Sequence, residues 1–571
     1  MKHKFIGIAL LLLVVAMMSF NSIQAQTTTI EADTTILFDG TSITVNGNGA
    51  SVDANTVTIS NAGTYSLSGT LTDGQVIVDT KDAALVTLIL NGVNLSSSTS
   101  APINIKNADS AAILLADGTE NYVTDATTYI YENPEDDEPN AAVFSDDDLT
   151  IYGNGSLTVI ANYNDGIASK DGLTIEGGVI NVSSVDDGIR GKDYLIIDGA
   201  NITLNVQGDG LKSDNEDDLT VGYINIHSGI FNITSGGDAI TTQSALNIVD
   251  GTFNITSGGG SAAYLDESLS AKGLKSAVAI TINGGTYTID SADDGIHSND
   301  SIVINGGTYT IASGDDGIHA DATVDINSGT INITTSYEGI ESAIITINNG
   351  DVHIVASDDG INVAGGADGS GNGGRGGGGF SGGNYFLYIN GGYIVVDAEG
   401  DGLDANGSIV MSGGTVLVNG PTMSMNGALD YDGSFQITGG YFVLVGSSGM
   451  MQAPDTTSTQ YSLAVAFNTT LSAGTPVSIQ NSAGETVMTF IPTKTYQSLV
   501  FSSPELLGGE TYTIYQGGSV SGTVSDGLPV DGTYSGGTAY TSLTLSSITT
   551  QEGGGNAGGG RGGRGGGSGR P

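Results

Sequence analysis

A four-residue phrase, Asp-Asp-Gly-Ile, returns along the chain at a nearly fixed interval, and this recurrence limits the fold more than any local pattern does. It stands at Asp186–Ile189, Asp293–Ile296, Asp315–Ile318 and Asp358–Ile361. Relaxed forms fill the gaps at Asn164–Ile167, Gly208–Leu211, Tyr337–Ile340 and Gly400–Leu403. Gly166, Gly188 and Gly210, and then Gly273, Gly295, Gly317, Gly339 and Gly360, follow one another 21 or 22 residues apart. Within one unit, Asp293–Gly314, three short alternating runs lie around Ile296, Ile302–Ile304 and Tyr309–Ile311, separated by Gly- or Asp/Asn-rich corners. Strand side chains alternate between faces, so Ile302 and Ile304 share one face and Tyr309 and Ile311 another. Three strands and three corners in about 22 residues predict one coil of a parallel β-helix, each coil stacked ~4.8 Å above the last.

Equivalent residues should then form ladders, one of Phe231, Phe253, Tyr287, Tyr309 and Ile331, another of Ile167, Ile189, Leu211, Ile296, Ile318 and Ile340. Residues 26–160 read as an N-terminal cap and first coils, and 161–456 as the repeats with a Gly-rich insertion at 365–383. The segment around Tyr264–Ser270 reads as a further insertion. Residues 457–518 change character and suggest a small C-terminal β-domain that closes the stack, because a bare end coil would expose unpaired strand edges. A β-like extension over 519–552 and a disordered Gly/Arg tail over 553–571 complete the plan.

Residues 1–25 have the pattern of a secretory signal peptide: Lys2 and Lys4, the apolar Phe5–Met18, then Ser22-Ile23-Gln24-Ala25. The expected protein is secreted, extracellular or periplasmic, a monomer, with no membrane span in its mature chain. No cysteine is present, which excludes disulfides and thiol catalysis. A net charge of −47 argues against nucleic acid as a partner, since no basic groove exists to follow phosphates.

The repeat also stacks carboxylates. Asp165, Asp187 and Asp209 hold one coil position in three successive turns, and Asp294, Asp316, Glu338 and Asp359 hold it in a later run. Asp186, Asp293, Asp315 and Asp358 add a second acid beside the first. Asp before Gly favours sharp turns on its own. Stacked acids, however, repel by roughly 1 kcal/mol in water at this spacing and by more where partly buried. They need a cation, raised pKa values or full hydration. Calcium suits such an oxygen cluster, so Ca2+ is the expected cofactor, with Asp165, Asp186, Asp187, Asp209, Asp293, Asp294, Asp315 and Asp316 as its ligands.

Three residues beyond the acidic position come Arg190, Lys212, His297 and His319, with Lys275 in a similar phrase, and Lys170 and Lys192 recur two places further on. The chain has only 15 Lys plus Arg, so this concentration stands out. Charge pairing across coils explains it; so does recognition of sugar hydroxyls and carboxylates by Lys170, Arg190, Lys192 and Lys212. Among aromatics, Tyr163, Tyr194 and Tyr264 fall at exposed positions, whereas the Phe231–Tyr309 ladder shares parity with core isoleucines. The outward Thr286/Thr288 and Thr308/Thr310 pairs lapse to Asn254 and Asn332 in other coils. No Gly-x-Ser-x-Gly elbow or zinc-binding histidine spacing occurs.

The phrases GTYSLSGTLTDGQVIVDT (63–80), LADGTENYVTD (115–125), EPNAAVFSDDDLTIYGNGSLTV (138–159), ANYNDGIASKDGLTIEGG (161–178) and PTKTYQSLVFSSPEL (492–506) resemble a family of secreted bacterial carbohydrate-binding parallel β-helix proteins. That resemblance implies an all-β, right-handed parallel β-helix of three strands per coil, bound calcium, affinity for polygalacturonate and cellulose, and a likeness to pectate lyases. It places ion-binding acids on Asp165, Asp187 and Asp209. The expected function is calcium-dependent polysaccharide binding. Two alternatives stay open: a pectate-type lyase working by calcium-assisted β-elimination with Lys192 or Lys212 as base, and a structural or adhesive surface protein.

Overall fold

The computed structural model describes residues 31–131, 133–218, 220–266, 268–364 and 384–553. The predicted signal segment, the Gly-rich insertion at 365–383 and the Gly/Arg tail from 554 onward lie outside the described residues. The described chain is all β, and no helix in it is long and apolar enough to cross a membrane.

Alternation dictates the strands. In Thr308–Ser313 and Thr286–Ser291 the second, fourth and sixth side chains are buried while the first and third are exposed. Each such strand pairs in parallel with its counterpart one repeat later, as Tyr287 does with Tyr309 and Ile302 with Val324. The ladder of Phe231, Phe253, Tyr287 and Tyr309 is inside, with successive rings 4.6–4.7 Å apart and nearly parallel. Ile167, Ile189, Leu211, Ile240, Leu274, Ile296, Ile318 and Ile340 form a second buried column. Flat rings at strand spacing pack closely along a narrow interior, which is how so modest an apolar content supports a long core.

The fold class expected from the sequence needs correction. Forty-five strands among the described residues belong to one mixed sheet, closed around a single main core. This wall is parallel through its body but antiparallel at both ends. Thr34–Gly40 pairs with Ser42–Asn46, Ala50–Asp53 with Thr56–Ile59, and Tyr441–Gly446 with Tyr496–Ser502. Three short strands per coil is also not the rule, because Tyr194–Val206 and Tyr223–Ser235 run through thirteen residues each. Their corners at Asp198-Gly199-Ala200 and His227-Ser228-Gly229 are crossed with a shift in register, whereas Asn305-Gly306-Gly307 ends its strand. The C-terminal region adds strands to this wall. Ser462–Leu471, Tyr496–Ser502 and Thr549–Glu552 join the wall itself. The remaining four-stranded sheet includes Thr538–Thr544 from the extension. It encloses a second core with Leu417, Val443 and Val445 on the outer face of the wall. The expected right-handed parallel β-helix of three strands per coil is thus replaced by one closed sheet, parallel through its body and antiparallel at its ends.

Candidate functional site

The repeated phrase brings its second carboxylate to one corner of the wall, where the backbone uses it. Asp165 Oδ1 accepts the Asp187 N–H at 3.2 Å, Asp187 Oδ1 that of Asp209 at 2.8 Å, and Asp209 Oδ1 that of Asp238 at 2.9 Å. Asp238 Oδ1 then accepts from Lys272 N–H at 2.8 Å. The relation recurs from Asp294 to Asp316, from Asp316 to Glu338 and from Asp359 to Asp401. At a corner the strand ladder is interrupted, and a buried N–H there needs an acceptor. A short carboxylate supplies one. Half of each carboxylate therefore holds the next coil, and its other oxygen faces the companion column.

Cations of this chain occupy much of that column, and Lys272 takes the ladder position itself in its own repeat. Lys212 Nζ lies 2.9 Å from both Asp187 Oδ2 and Asp209 Oδ2. Lys272 Nζ sits 2.8 Å from Asp293 Oδ1 and 2.6 Å from Asp294 Oδ2, and Lys275 Nζ lies 2.8 Å from Asp238 Oδ2. His297 Nδ1 is 2.7 Å from Asp294 Oδ2, and His319 Nδ1 is 3.2 Å from Asp316 Oδ2. Burial alone would lower the Lys212 ammonium's pKa, but Asp187 and Asp209 outweigh it and hold the group above its ordinary range. Burial would likewise raise Asp294, yet Lys272 and His297 hold it well below the usual carboxylate range.

Of the cations singled out in the sequence, Arg190 and Lys212 are neighbours in register, but Arg190 Nε is held by Asp214 Oδ1 at 3.0 Å. Lys170 Nζ reaches Glu138 Oε2 at 2.7 Å and Asp146 Oδ1 at 3.2 Å. Lys192 is half-buried and makes no ion pair among the described residues. Of the acids, Asp165, Asp186 and Asp187 bring oxygen atoms within 4.8 Å of one another, as do Asp293, Asp294 and Asp315. In the second group Lys272 already supplies positive charge. Burial, then Asp187, pushes the Asp165 carboxyl up to about 7.

Followed along the wall, the companion column changes sign. In register it runs Arg190, Lys212, Thr241, Lys275, His297, His319, Glu341, Asn362, Asp404, Asp430. Cations give way to acids after His319. Beyond that point Asp359, Asp401 and Asp404 place carboxylate oxygens within 4.8 Å of one another, with no lysine, arginine or histidine paired to them among the described residues. Burial pushes Asp404 up to about 8, Asp359 to about 7 and Asp401 to about 6, and repulsion from neighbouring acids, Asp430 and Asp358 in the case of Asp401, adds to each.

Aromatic rings flank the cationic end. Tyr194 and Tyr223 stack on the outside of adjacent coils, 5.8 Å apart and inclined by 16°. The Tyr194 ring lies over Gly172, where any side chain would collide with it. Tyr194 is two residues beyond Lys192 and donates its hydroxyl to Asp148 Oδ1 at 3.2 Å. Tyr163 instead stacks on the buried Tyr129 at 4.2 Å. Tyr264 is 91% exposed on its insertion.

Residues 53–317 match the family of carbohydrate-binding domain-containing proteins. A carbohydrate-binding domain-containing protein of Acetivibrio thermocellus is 48% identical over 128 residues, 22% of this chain and 45% of that relative. The chain therefore spans under half the length of the curated relative it matches. Among solved structures, the chain is similar to a polysaccharide lyase-like protein from C. thermocellum, a gadolinium derivative. It is 32% identical, covering 52% of this chain and 96% of that one, with a TM-score of 0.37.

Two sets of residues escaped the sequence reading. Tyr223 lies 29 residues from its partner Tyr194, because more residues separate Ser213 from Tyr223 than in the other repeats. Asp404 and Asn362 occupy the column of Arg190 and Lys212, but 42 residues separate them across the Gly-rich insertion. Reading the column position onward from His319 would have exposed the change of sign.

Proposed function

We propose that this chain is a secreted polysaccharide-binding protein that lays a linear glycan along the stacked coils over Tyr194, Tyr223 and Lys192. One observation carries the reading: two parallel rings on successive repeats, two residues beyond Lys192, a cation that makes no ion pair among the described residues. Ring faces at coil spacing offer an apolar platform to sugar C–H groups, and the hydroxyl ends stay wet. The similarity of residues 53–317 to carbohydrate-binding domains supports the class of ligand. Polygalacturonate and cellulose are the polymers to test. For the acidic polymer a chain of charge −47 needs Lys192 or a bridging cation; a neutral glucan needs neither. The lyase alternative is disfavoured at Lys212, because an ammonium held between two carboxylates stays protonated and is a poor base.

Binding to insoluble cellulose and to immobilised polygalacturonate tests the proposal. The double variant Tyr194→Ala/Tyr223→Ala is expected to lose about tenfold in affinity for both polymers. Lys192→Ala should lose about two- to fivefold for polygalacturonate alone. A double variant that binds as wild type would move the platform elsewhere. Absorbance at 235 nm rising with polygalacturonate would instead establish chain cleavage.

A further inference from the structure

We propose that Met423, Met425 and Met450 form a thioether site for a soft monovalent cation, copper(I), on the outside of the wall near its C-terminal end. Beyond the predicted signal segment the methionines are Met411, Met423, Met425, Met450, Met451 and Met488. Met411, Met451 and Met488 are buried and belong to the two cores. Met423 and Met425 are 59% and 77% exposed, and Met450 is half-buried. Methionine ordinarily fills gaps in a core, so outward thioethers gathered at one place call for another role.

Two neighbouring corners bring them together. Residues 420–428 intervene between Thr415–Asn419 and Leu429–Tyr431, whereas only 399–402 intervene between Tyr393–Ala398 and Leu403–Ala405. The longer corner makes a turn in which the Asn426 N–H donates to the Met423 carbonyl at 3.4 Å, with Met423 and Met425 on either side of Ser424. Thr415–Asn419 pairs in parallel with Tyr441–Gly446, so the corner that follows the latter stacks on this turn. Ser447 N–H donates to Pro421 O at 2.8 Å, and Ser447 Oγ donates to Asn426 O at 2.7 Å. A side chain on Gly449 would collide with the Ser424 carbonyl, so the two backbones touch there. Met450 follows Gly449 directly, and Met423 and Met425 flank Ser424 across the contact. Unbranched side chains with three rotatable bonds each, rooted around one backbone contact, can bring their sulfurs to one point.

The donor set names the ion. Thioether sulfur is soft and uncharged, and it selects copper(I) over the hard cations calcium and magnesium. The chain has no cysteine, so methionine is its only soft ligand. The cleft beside the turn is lined in part by Thr422, Ser424, Ser447, Ser448, Thr495 and Gln497, and no carboxylate lines it to recruit a hard ion. A net charge of −47 draws cations of every kind toward the surface, and the sulfurs decide which one stays here. These residues lie outside the segment similar to carbohydrate-binding domains, and the site does not depend on glycan binding.

Competition for copper(I) between the full chain and bicinchoninate, under ascorbate at neutral pH and without glycan, tests the site. Calorimetric titration of silver nitrate in chloride-free buffer, with silver(I) as a redox-stable stand-in, extends the test across pH. The wild type should bind copper(I), and excess calcium should not compete. Thioethers take up no proton, so silver(I) affinity should change by less than about twofold between about pH 5 and pH 8, where histidine ligands would lose theirs in acid. Met425→Leu and Met450→Leu, which keep the bulk and remove the sulfur, should each weaken binding at least about tenfold. Met488→Leu, in the second core, should leave it unchanged. Wild-type binding no tighter than that of Met423→Leu/Met425→Leu would overturn the proposal. So would binding unaltered in Met425→Leu or in Met450→Leu, or a silver(I) affinity that falls steeply in acid.

Discussion

At the scale of single residues, what matters is whether a charged group has its partner inside the corner or in water. Lys272 is buried against Asp293 and Asp294, the latter wholly inaccessible. Replacing Lys272 with Met would leave buried Asp293 without its cation and Asp294 with His297 alone. Breaking a buried pair in that way costs about 3–5 kcal/mol. Lys192→Met, at a position with no ion pair among the described residues, should stay within about 0.5 kcal/mol of wild type. Urea denaturation at neutral pH distinguishes the two, and equal losses would show that Lys272 is not structurally committed. The same contrast separates the charges that hold the wall from those available to a ligand. Sequence alone showed acids and cations on one corner; it did not show which were spent on each other, since that depends on the direction of each side chain.

At the scale of one coil, the glycine of the repeated phrase is required by close approach. A Cβ on Gly188 would sit 2.6 Å from the carbonyl oxygen of Gly210 in the next coil, and one on Gly317 equally close to that of Gly339. Because the obstacle is backbone, it cannot swing aside. Gly317→Ala should therefore destabilise by about 1–3 kcal/mol, as overpacking of a tight interior does. A midpoint in urea unchanged from wild type would contradict this. Strand positions and the aromatic ladder were legible in the sequence because alternation and a repeat of about 22 residues fix which face and which rung each residue takes. Corners were not. Asp198-Gly199-Ala200 lets one strand run on whereas Asn305-Gly306-Gly307 ends one, a difference in corner chemistry that periodicity does not encode. The joining of Ser462–Leu471 and Tyr496–Ser502 to the wall was equally hidden, since antiparallel pairing over long separations leaves no interval to read.

Over the whole molecule, stacked acids reverse the usual response of a protein to acid. Asp165, Asp359 and Asp404 are raised by burial to about 7, 7 and 8, from an ordinary value near 3.8 in the unfolded chain. Burial, followed by neighbouring acids, raises Glu338 and Glu341 as well. A carboxyl with a raised pKa binds its proton more tightly when folded, so the folded state holds more protons and stability falls as pH rises. The change occurs between about pH 4, where the unfolded groups titrate, and about pH 8. His319, raised to about 11 by Asp316 and Asp321 against its own burial, acts in the same sense. Its contribution is present below about 6.5 and is lost at higher pH. Opposing them, Asp294 is held low by Lys272 and His297, and its contribution disappears only in stronger acid. With divalent cations chelated, the melting temperature should therefore rise as pH is lowered from 8 to about 5, and fall again below about 4. Saturating calcium, the cofactor expected from the sequence, should raise the pH 8 value most and flatten the slope if it binds the stacked acids, since an ion there would replace the protons those carboxylates otherwise take up. Scanning calorimetry across that range checks both statements. A melting temperature that falls steadily from pH 8 to 5 in chelator would mean that the acids are hydrated and unstrained, and that their stacking exerts no pressure toward a proton or a metal ion.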